Sequence, residues 1–337
     1  MQLLALIVSL ALPGQLKIAS AQTASVNAEP SVREARAAVS AGRWDEAAAA
    51  YSRAIELYPR DPVLRSEFGD VRRKDERFPE AIASYQEALR LSPHNLPAEM
   101  GLAAAFRAVR NLEEAQVVLE RAIREHPSSS APLALLGDIE IELQTYDAAI
   151  GHLRAALARD PANTETRNRL AAAYKAKGDP ANALAQLNKV LARDPSNALA
   201  YFLRAEIYSD QNNGAKALPD AEKVLQLQPE NPSGRAALGK ILLRTPPGAT
   251  PEQVKSRCTR AAKVLSPLLD SPHLRSETLF LLSRAYQCAD QSEDAKKTLI
   301  AFEAVSQQER SAREGEQRSL HLVLDAEDRA LKNDPKG

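Results

Sequence analysis

Between Ala131 and Pro161 the chain reads APLALLGDIEIELQTYDAAIGHLRAALARDP, and its apolar residues fall at helical spacing twice. Leu133, Leu136, Ile139 and Leu143 form one stripe; Ala149, Leu153 and Ala156 form another, and Gln144-Thr145 lies between them. Apolar positions three and four apart put one face of a helix on a core. The stretch therefore predicts two amphipathic helices joined by a tight turn. Gly137 and Ala149 place small side chains where those helices must come closest.

The pattern returns every 34 residues. Ala47, Ala81, Ala115, Ala149, Ala183 and Ala217 hold one column, and Pro59, Pro93, Pro127, Pro161, Pro195 and Pro229 another. Between them stand Ala54, Ala88, Ala122, Ala156, Val190 and Val224, and also Tyr51, Tyr85, Leu119, Leu153, Leu187 and Ala221. Twelve residues before each alanine come Ala35, Gly69, Ala103, Gly137, Ala171 and Ala205. Self-similarity at such a period means a stack of supersecondary units, each burying its apolar face on its neighbours. Proline closes each unit because it has no N–H and restricts the residue before it.

These columns resemble the tetratricopeptide repeat family: a small residue at the eighth place, alanine at the twentieth, an aromatic or leucine at the twenty-fourth, a small residue at the twenty-seventh and proline at the thirty-second. The resemblance covers residues 28–302 and implies an all-α, right-handed α-solenoid of about eight helix–turn–helix units with a C-terminal capping helix. The seventh unit breaks the period with about ten extra residues, placed at Arg244 to Thr250 and at the start of its second helix. There Thr250-Pro251-Glu252-Gln253 reads as a capped helix start. The eighth carries Leu279, Leu282, Tyr286, Ala295, Leu299 and Phe302. The organisation expected is a signal peptide over 1–21, a polar linker over 22–30, the solenoid over 31–302, a capping helix over 303–332 and a disordered tail over 333–337.

In this family first helices line a concave groove, through their second, fifth, ninth and twelfth places. The resemblance thereby implies a partner-binding surface of Met100, Ala104 and Arg107; Ala134, Asp138 and Ile141; Asn168, Ala172 and Lys175; and Leu199, Phe202, Glu206 and Ser209. Asp138 is expected exposed, and Phe202 is the expected anchor. Arg154, on a second helix, should face away. Some family members hold chaperone C-terminal carboxylates through paired lysine and asparagine residues. Here Val32 and Arg36 stand where the first pair would be and Glu67 where a further asparagine would be, which sets aside a co-chaperone role.

The chain has 337 residues, with 44 basic and 44 acidic side chains. Zero net charge argues against bulk electrostatic binding to nucleic acid. Leu3 to Leu12 is an apolar run too short to span a bilayer, and Ala19-Ser20-Ala21 offers a small-x-small cleavage site before Gln22. Export is expected on this ground, although Met1-Gln2 carries no basic residue. No other stretch is apolar enough to cross a membrane.

Chemistry is sparse. His94, His126, His152, His273 and His321 fall in no metal-ligating motif, and His94, His126 and His273 read as solvated loop residues. No catalytic residue, cofactor or metal is expected. Gly234 to Lys240 matches the spacing of a phosphate-binding loop, but Ile241 follows where a hydroxyl is needed and the phase of the repeat puts the segment inside a helix. Trp44 reads as a packed turn residue. Cys258 and Cys288, read as the start of one helix and the end of the next, form a disulfide pair if the protein is exported; two buried thiols are the alternative. The reading is a non-enzymatic scaffold that binds a protein or peptide in its groove in a bacterial envelope or periplasm. Its rivals are a cytosolic scaffold and a regulatory subunit positioning a transferase or synthase. The oligomeric state is left open.

Overall fold

The structure, a computed structural model, describes residues 26–27, 29–270 and 276–332, with side chains through 312 and at 314. The signal-peptide and tail expectations, 1–21 and 333–337, lie outside the described residues. The chain divides into two compact halves, one ending at Lys177 and the other beginning at Gly178.

The first half holds α1 (Pro30–Ser40), α2 (Trp44–Leu57), α3 (Pro62–Lys74), α4 (Phe78–Leu91), α5 (Leu96–Ala108), α6 (Leu112–Glu125), α7 (Ala131–Glu142), α8 (Tyr146–Arg159) and α9 (Thr164–Lys177). The second holds α10 (Pro180–Arg193), α11 (Ala198–Asp210), α12 (Gly214–Leu227), α13 (Pro232–Leu242), α14 (Pro251–Leu265), α15 (Ser276–Cys288) and α16 (Ser292–Lys332). Within each half, helices pack on those next to them in sequence and on the next but one. Each half is thus an α-solenoid stack, all-α as the sequence predicts, and the predicted helix pairs fall where the columns put them.

Side chains of unequal size make the pairs fit. A Cβ added at Gly137 of α7 would lie 2.6 Å from Leu153 Cγ of α8. One at Gly239 of α13 would lie 2.5 Å from the side chain of Leu265 in α14. Tyr85 of α4 fills two such gaps, 2.8 Å from a Cβ at Gly69 and 2.3 Å from one at Gly101. The twenty-fourth place of each repeat therefore sits where its own first helix, and sometimes the next one, gives up a side chain. These large residues, Tyr85, Leu119, Leu153 and Leu187, are fully buried.

Many helix ends are specified locally. The turn inside each of the first six repeats places one residue at positive φ: Gly42, Glu76, Arg110, Gln144, Gly178 and Asn212. Two residues past the column proline, Asp61, Asn95, Asn163, Asn197 and Asn231 each accept a backbone N–H from the first turn of the next helix. That is a sixth 34-residue column, broken only at Ser129, after which α7 starts without a side-chain cap, and N-caps of this kind each contribute about 1 kcal/mol.

Several boundaries differ from expectation. Val26, inside the expected linker, is buried with Val32, Ala35 and Tyr51. The expected break between solenoid and capping helix at 302/303 is absent, because α16 runs as one helix of 41 residues. Beyond that point its Glu309 accepts from both the N–H and the Oγ of Ser276, closing the N-terminus of α15. The seventh repeat follows the reading closely: Thr250 and Gln253 form a full capping box. Arg257 of α14 donates to the carbonyls of Ile241, Leu242 and Arg244, which satisfies the end of α13 ahead of the inserted loop. Gly234 to Lys240 lies within α13.

Gly137 and Gly151 make a matched test. Both are helical, but a Cβ at Gly151 would meet nothing within 4 Å. Gly137→Ala should cost about 1–3 kcal/mol by overpacking. Gly151→Ala should instead stabilise by about 0.4–1 kcal/mol, by restricting the unfolded chain. Denaturant unfolding of the two variants measures both signs.

Candidate partner-binding surface

In the first half, the first helices of the repeats are joined sideways by ion pairs. Arg36 of α1 donates to both carboxylate oxygens of Glu67 in α3, at 2.9 and 3.2 Å. Arg107 of α5 meets Glu142 of α7 at 2.6 Å and Asp138 at 3.7 Å. Asp138 in turn meets Arg169 of α9 at 3.4 Å, and Arg110 meets Glu142 at 2.7 Å. Asp70 of α3 accepts the Tyr85 hydroxyl at 2.7 Å and lies 3.5 Å from Arg73. Residues at the ninth and twelfth places thus pair with sixth-, ninth- and thirteenth-place residues of the next repeat, while the contacts of Asp70 stay inside the second repeat.

This corrects the expectation for Asp138. Its side chain is only 14% exposed, since arginines on two adjacent helices close over it. Burial raises its pKa above the usual aspartate value, and Arg169 and Arg107 counter part of that rise. Ala134 and Asn168, at fifth places, are also corrections: both are buried. Ala134 packs with Ile123 of the preceding repeat, so this place looks back into the stack. Met100 and Ile141 are half-buried and rest against core clusters. Ala104, Arg107, Ala172 and Lys175 are half-buried too. Arg154 is exposed, as expected of the opposite face.

A concave feature lies in the first two repeats, which the sequence reading did not select. A cleft of about 520 Å³ is lined by Arg36, Val39 and Ser40 of α1, Trp44 and Tyr51 of α2, and Glu67, Asp70, Val71, Arg73 and Lys74 of α3. Arg36, Val39, Asp70 and Arg73 are the ninth and twelfth places of their repeats, so the family phase could have found the cleft. Trp44, half-buried, contributes to its wall as well as to packing. Burial drives the pKa of Tyr51 well above the usual tyrosine value, and Glu67 beside it adds to the rise. Its hydroxyl therefore stays protonated and able to donate at neutral pH.

In the second half, α11 carries Leu199, Phe202, Glu206 and Ser209. Leu199 is half-exposed, Phe202 and Glu206 are half-buried, and Ser209 is buried, a correction for that last residue. Arg204 on the same helix forms a two-point ion pair with buried Asp220 of α12, at 2.7 and 2.8 Å. Further along, Cys258 and Cys288 are joined in a disulfide with Cα atoms 5.7 Å apart. Cys258 sits in the middle of α14 rather than at its start, because the insertion lengthens that helix at its N-terminal end. Closing 30 residues of chain is worth about 3–4 kcal/mol in the chain-entropy account.

Among the histidines, His94 is exposed as expected, and His126 departs from the reading. His126 is 23% exposed and lies 3.3 Å from the buried carboxylate of Glu99, and His94 lies 3.0 Å from Glu125. His152 meets both oxygens of Glu140, at 2.9 and 2.8 Å. His273 and the side chain of His321 lie outside the described residues. No described helix is long and apolar enough to cross a membrane.

Stacked helix pairs with a ridged face of first helices define a protein-interaction scaffold of the α-solenoid class. Tetratricopeptide repeat models match residues 32–95, 72–139, 140–207 and 198–231, more than half of the chain. The chain belongs to the tetratricopeptide repeat family. It is similar in structure to a tetratricopeptide repeat protein from Parabacteroides merdae (TM-score 0.61, 21% identity), over 76% of this chain and 97% of that one. It is also similar to yeast Tom70 (TM-score 0.59, 17% identity), over 91% of this chain and 66% of that one. At such identities the likeness concerns the fold. In sequence it is 29% identical over 92 residues, or 27% of its length, to Hsp70-Hsp90 organizing protein 3 of Arabidopsis thaliana. Over 108 residues, 31% of its length, it is 29% identical to Hsp70-Hsp90 organizing protein 1 of Glycine max. The chain spans 16% and 19% of those two relatives.

The ion pairs make a stability prediction. Asp138→Ala leaves two guanidinium groups facing a gap and should cost about 1–2 kcal/mol, between the values for exposed and fully buried pairs. Arg154→Ala should change stability by less than about 0.5 kcal/mol. Urea titrations of both variants check the contrast.

Proposed function

We propose that this protein is a non-enzymatic scaffold, exported to a bacterial envelope or periplasm, that holds a protein or peptide segment against the first-helix face of its repeats. The observation that carries the reading is the cleft of the first two repeats. It joins an indole, a phenol and two valines to both signs of charge in about 520 Å³. Pockets of that size that combine apolar walls with a few placed polar groups suit one anchoring side chain and its backbone. In the second half, Leu199 and Phe202 offer apolar surface on α11, and Phe202 is the anchor proposed there. In the first half Met100, Arg107, Asp138, Ile141 and Lys175 are proposed to frame the surface, and in the second half Glu206 does so beside Phe202; the pair between Arg107 and Asp138 holds shape more than it reaches for a partner.

Export is supported by the apolar run and small-x-small site before Gln22, and by the disulfide, a bond that persists in oxidising compartments. The co-chaperone alternative is disfavoured locally. Arg36 and Glu67, which replace residues of the carboxylate-binding arrangement, are bonded to each other.

Trp44→Ala and Phe202→Ala should each weaken capture of the native partner by about 1–3 kcal/mol, because aromatic anchors dominate such surfaces. Helical circular dichroism should be unchanged. Partner loss with Arg154→Ala, alongside full binding by both aromatic variants, would show that the opposite face binds.

A further inference from the structure

The third repeat buries a carboxylate whose second oxygen is left without a hydrogen bond. Glu99, on the first turn of α5, is 0% exposed. Its Oε1 accepts from Arg121 Nε at 3.0 Å, while its Oε2 has no hydrogen-bond partner. Facing that oxygen are Glu125, the last residue of α6, and His126 just beyond it. His126 Nε2 is buried and likewise makes no hydrogen bond, and the buried Glu125 Oε2 has His94 beside it at 3.0 Å. One ligand atom from each of the three residues lies within 4.8 Å of the other two.

Such an arrangement is unfavourable as it stands. Two carboxylates face each other, and the charge of Glu125 is among the causes that raise the pKa of Glu99, after burial. A buried polar atom without a partner costs about 1–3 kcal/mol, more if charged. Buried Glu140 shows what a satisfied version looks like, since it engages the half-buried His152 through both oxygens. At Glu99 the donor atoms instead converge on a common point.

We propose that Glu99, Glu125 and His126 form a binding site for a divalent transition-metal ion, Zn²⁺ by the nature of its ligands. One imidazole nitrogen and two carboxylate oxygens are a ligand set zinc accepts, with bonds of about 2.0–2.2 Å. Tetrahedral bonds of that length set donors about 3.3–3.5 Å apart, and Glu99 Oε2 and His126 Nε2 are 3.3 Å apart. The Glu125 carboxylate oxygen lies within 4.8 Å of both and has to move inward to close the set. Its partner His94, 3.0 Å away, orients that group in the manner of an outer-shell hydrogen bond. Three protein ligands leave the fourth position to water or to a donor from a bound partner. The ion would tie the end of α6 to the start of α5, and the inference does not depend on the proposed groove.

Titration calorimetry of the untagged full chain with Zn²⁺, after chelator treatment and dialysis, tests it. One ion should bind per chain. Glu99→Gln and His126→Ala should each weaken binding by roughly tenfold or more, while His152→Ala leaves it unchanged. Should His126→Ala fail to fold, His126→Gln, with a weaker ligand of similar size, is read in the same way. Absence of one-to-one binding, or binding equal in wild type and a folded His126 variant, would overturn the proposal. The cluster would then be a histidine–carboxylate contact alone.

Discussion

A large side chain on a second helix occupies the space that a first helix leaves empty, and the spacing of the repeats follows from that exchange. Leu153 over Gly137, Leu265 over Gly239 and Tyr85 between Gly69 and Gly101 all sit where even a methyl group would collide. Protein interiors tolerate little change in volume at such contacts. The exchange therefore fixes how near neighbouring first helices lie. That separation in turn lets Arg36 reach Glu67 and lets Arg107 and Arg169 share Asp138. Were the second-helix residues bulkier or the glycines substituted, the ion pairs would lose their reach.

The sideways ion pairs shape what the surface can do. Partly buried pairs add little net stability, because desolvation offsets much of the attraction, but a pair with one partner removed is costly. They hold register along the first-helix face and leave few of its charges unengaged. A partner on this face gains most from apolar and aromatic contact, with polar groups setting direction. The cleft at Trp44 and Tyr51 has that composition, and so, in its own half, does the stretch of α11 around Leu199 and Phe202.

The fold was legible because a repeat states the same packing rule many times. Six copies of the column at Gly137 and of that at Leu153 fixed helix phase, pair boundaries and turns. A sixth column, from Asp61 to Asn231, stands two residues past every column proline but Pro127, where Ser129 breaks it. The surface was less legible because exposure at a groove position is decided by side chains about 31–35 residues away, which differ from copy to copy. Asp138 looked like a solvated aspartate until Arg107 and Arg169 were seen on either side of it. His126 looked like a loop residue until Glu99, 27 positions earlier, was found beneath it. Trp44 follows a turn in its own repeat, and its place in a cleft depends on α3, which that repeat does not contain.

Site-specific photo-crosslinking in the native host tests the central claim, that a protein segment lies on the first-helix face. A photoreactive residue at Val39 or Lys74, in the cleft, should yield a discrete crosslinked protein, and one at Arg154 should not. A crosslink from Arg154 with none from Val39 or Lys74 would contradict the account.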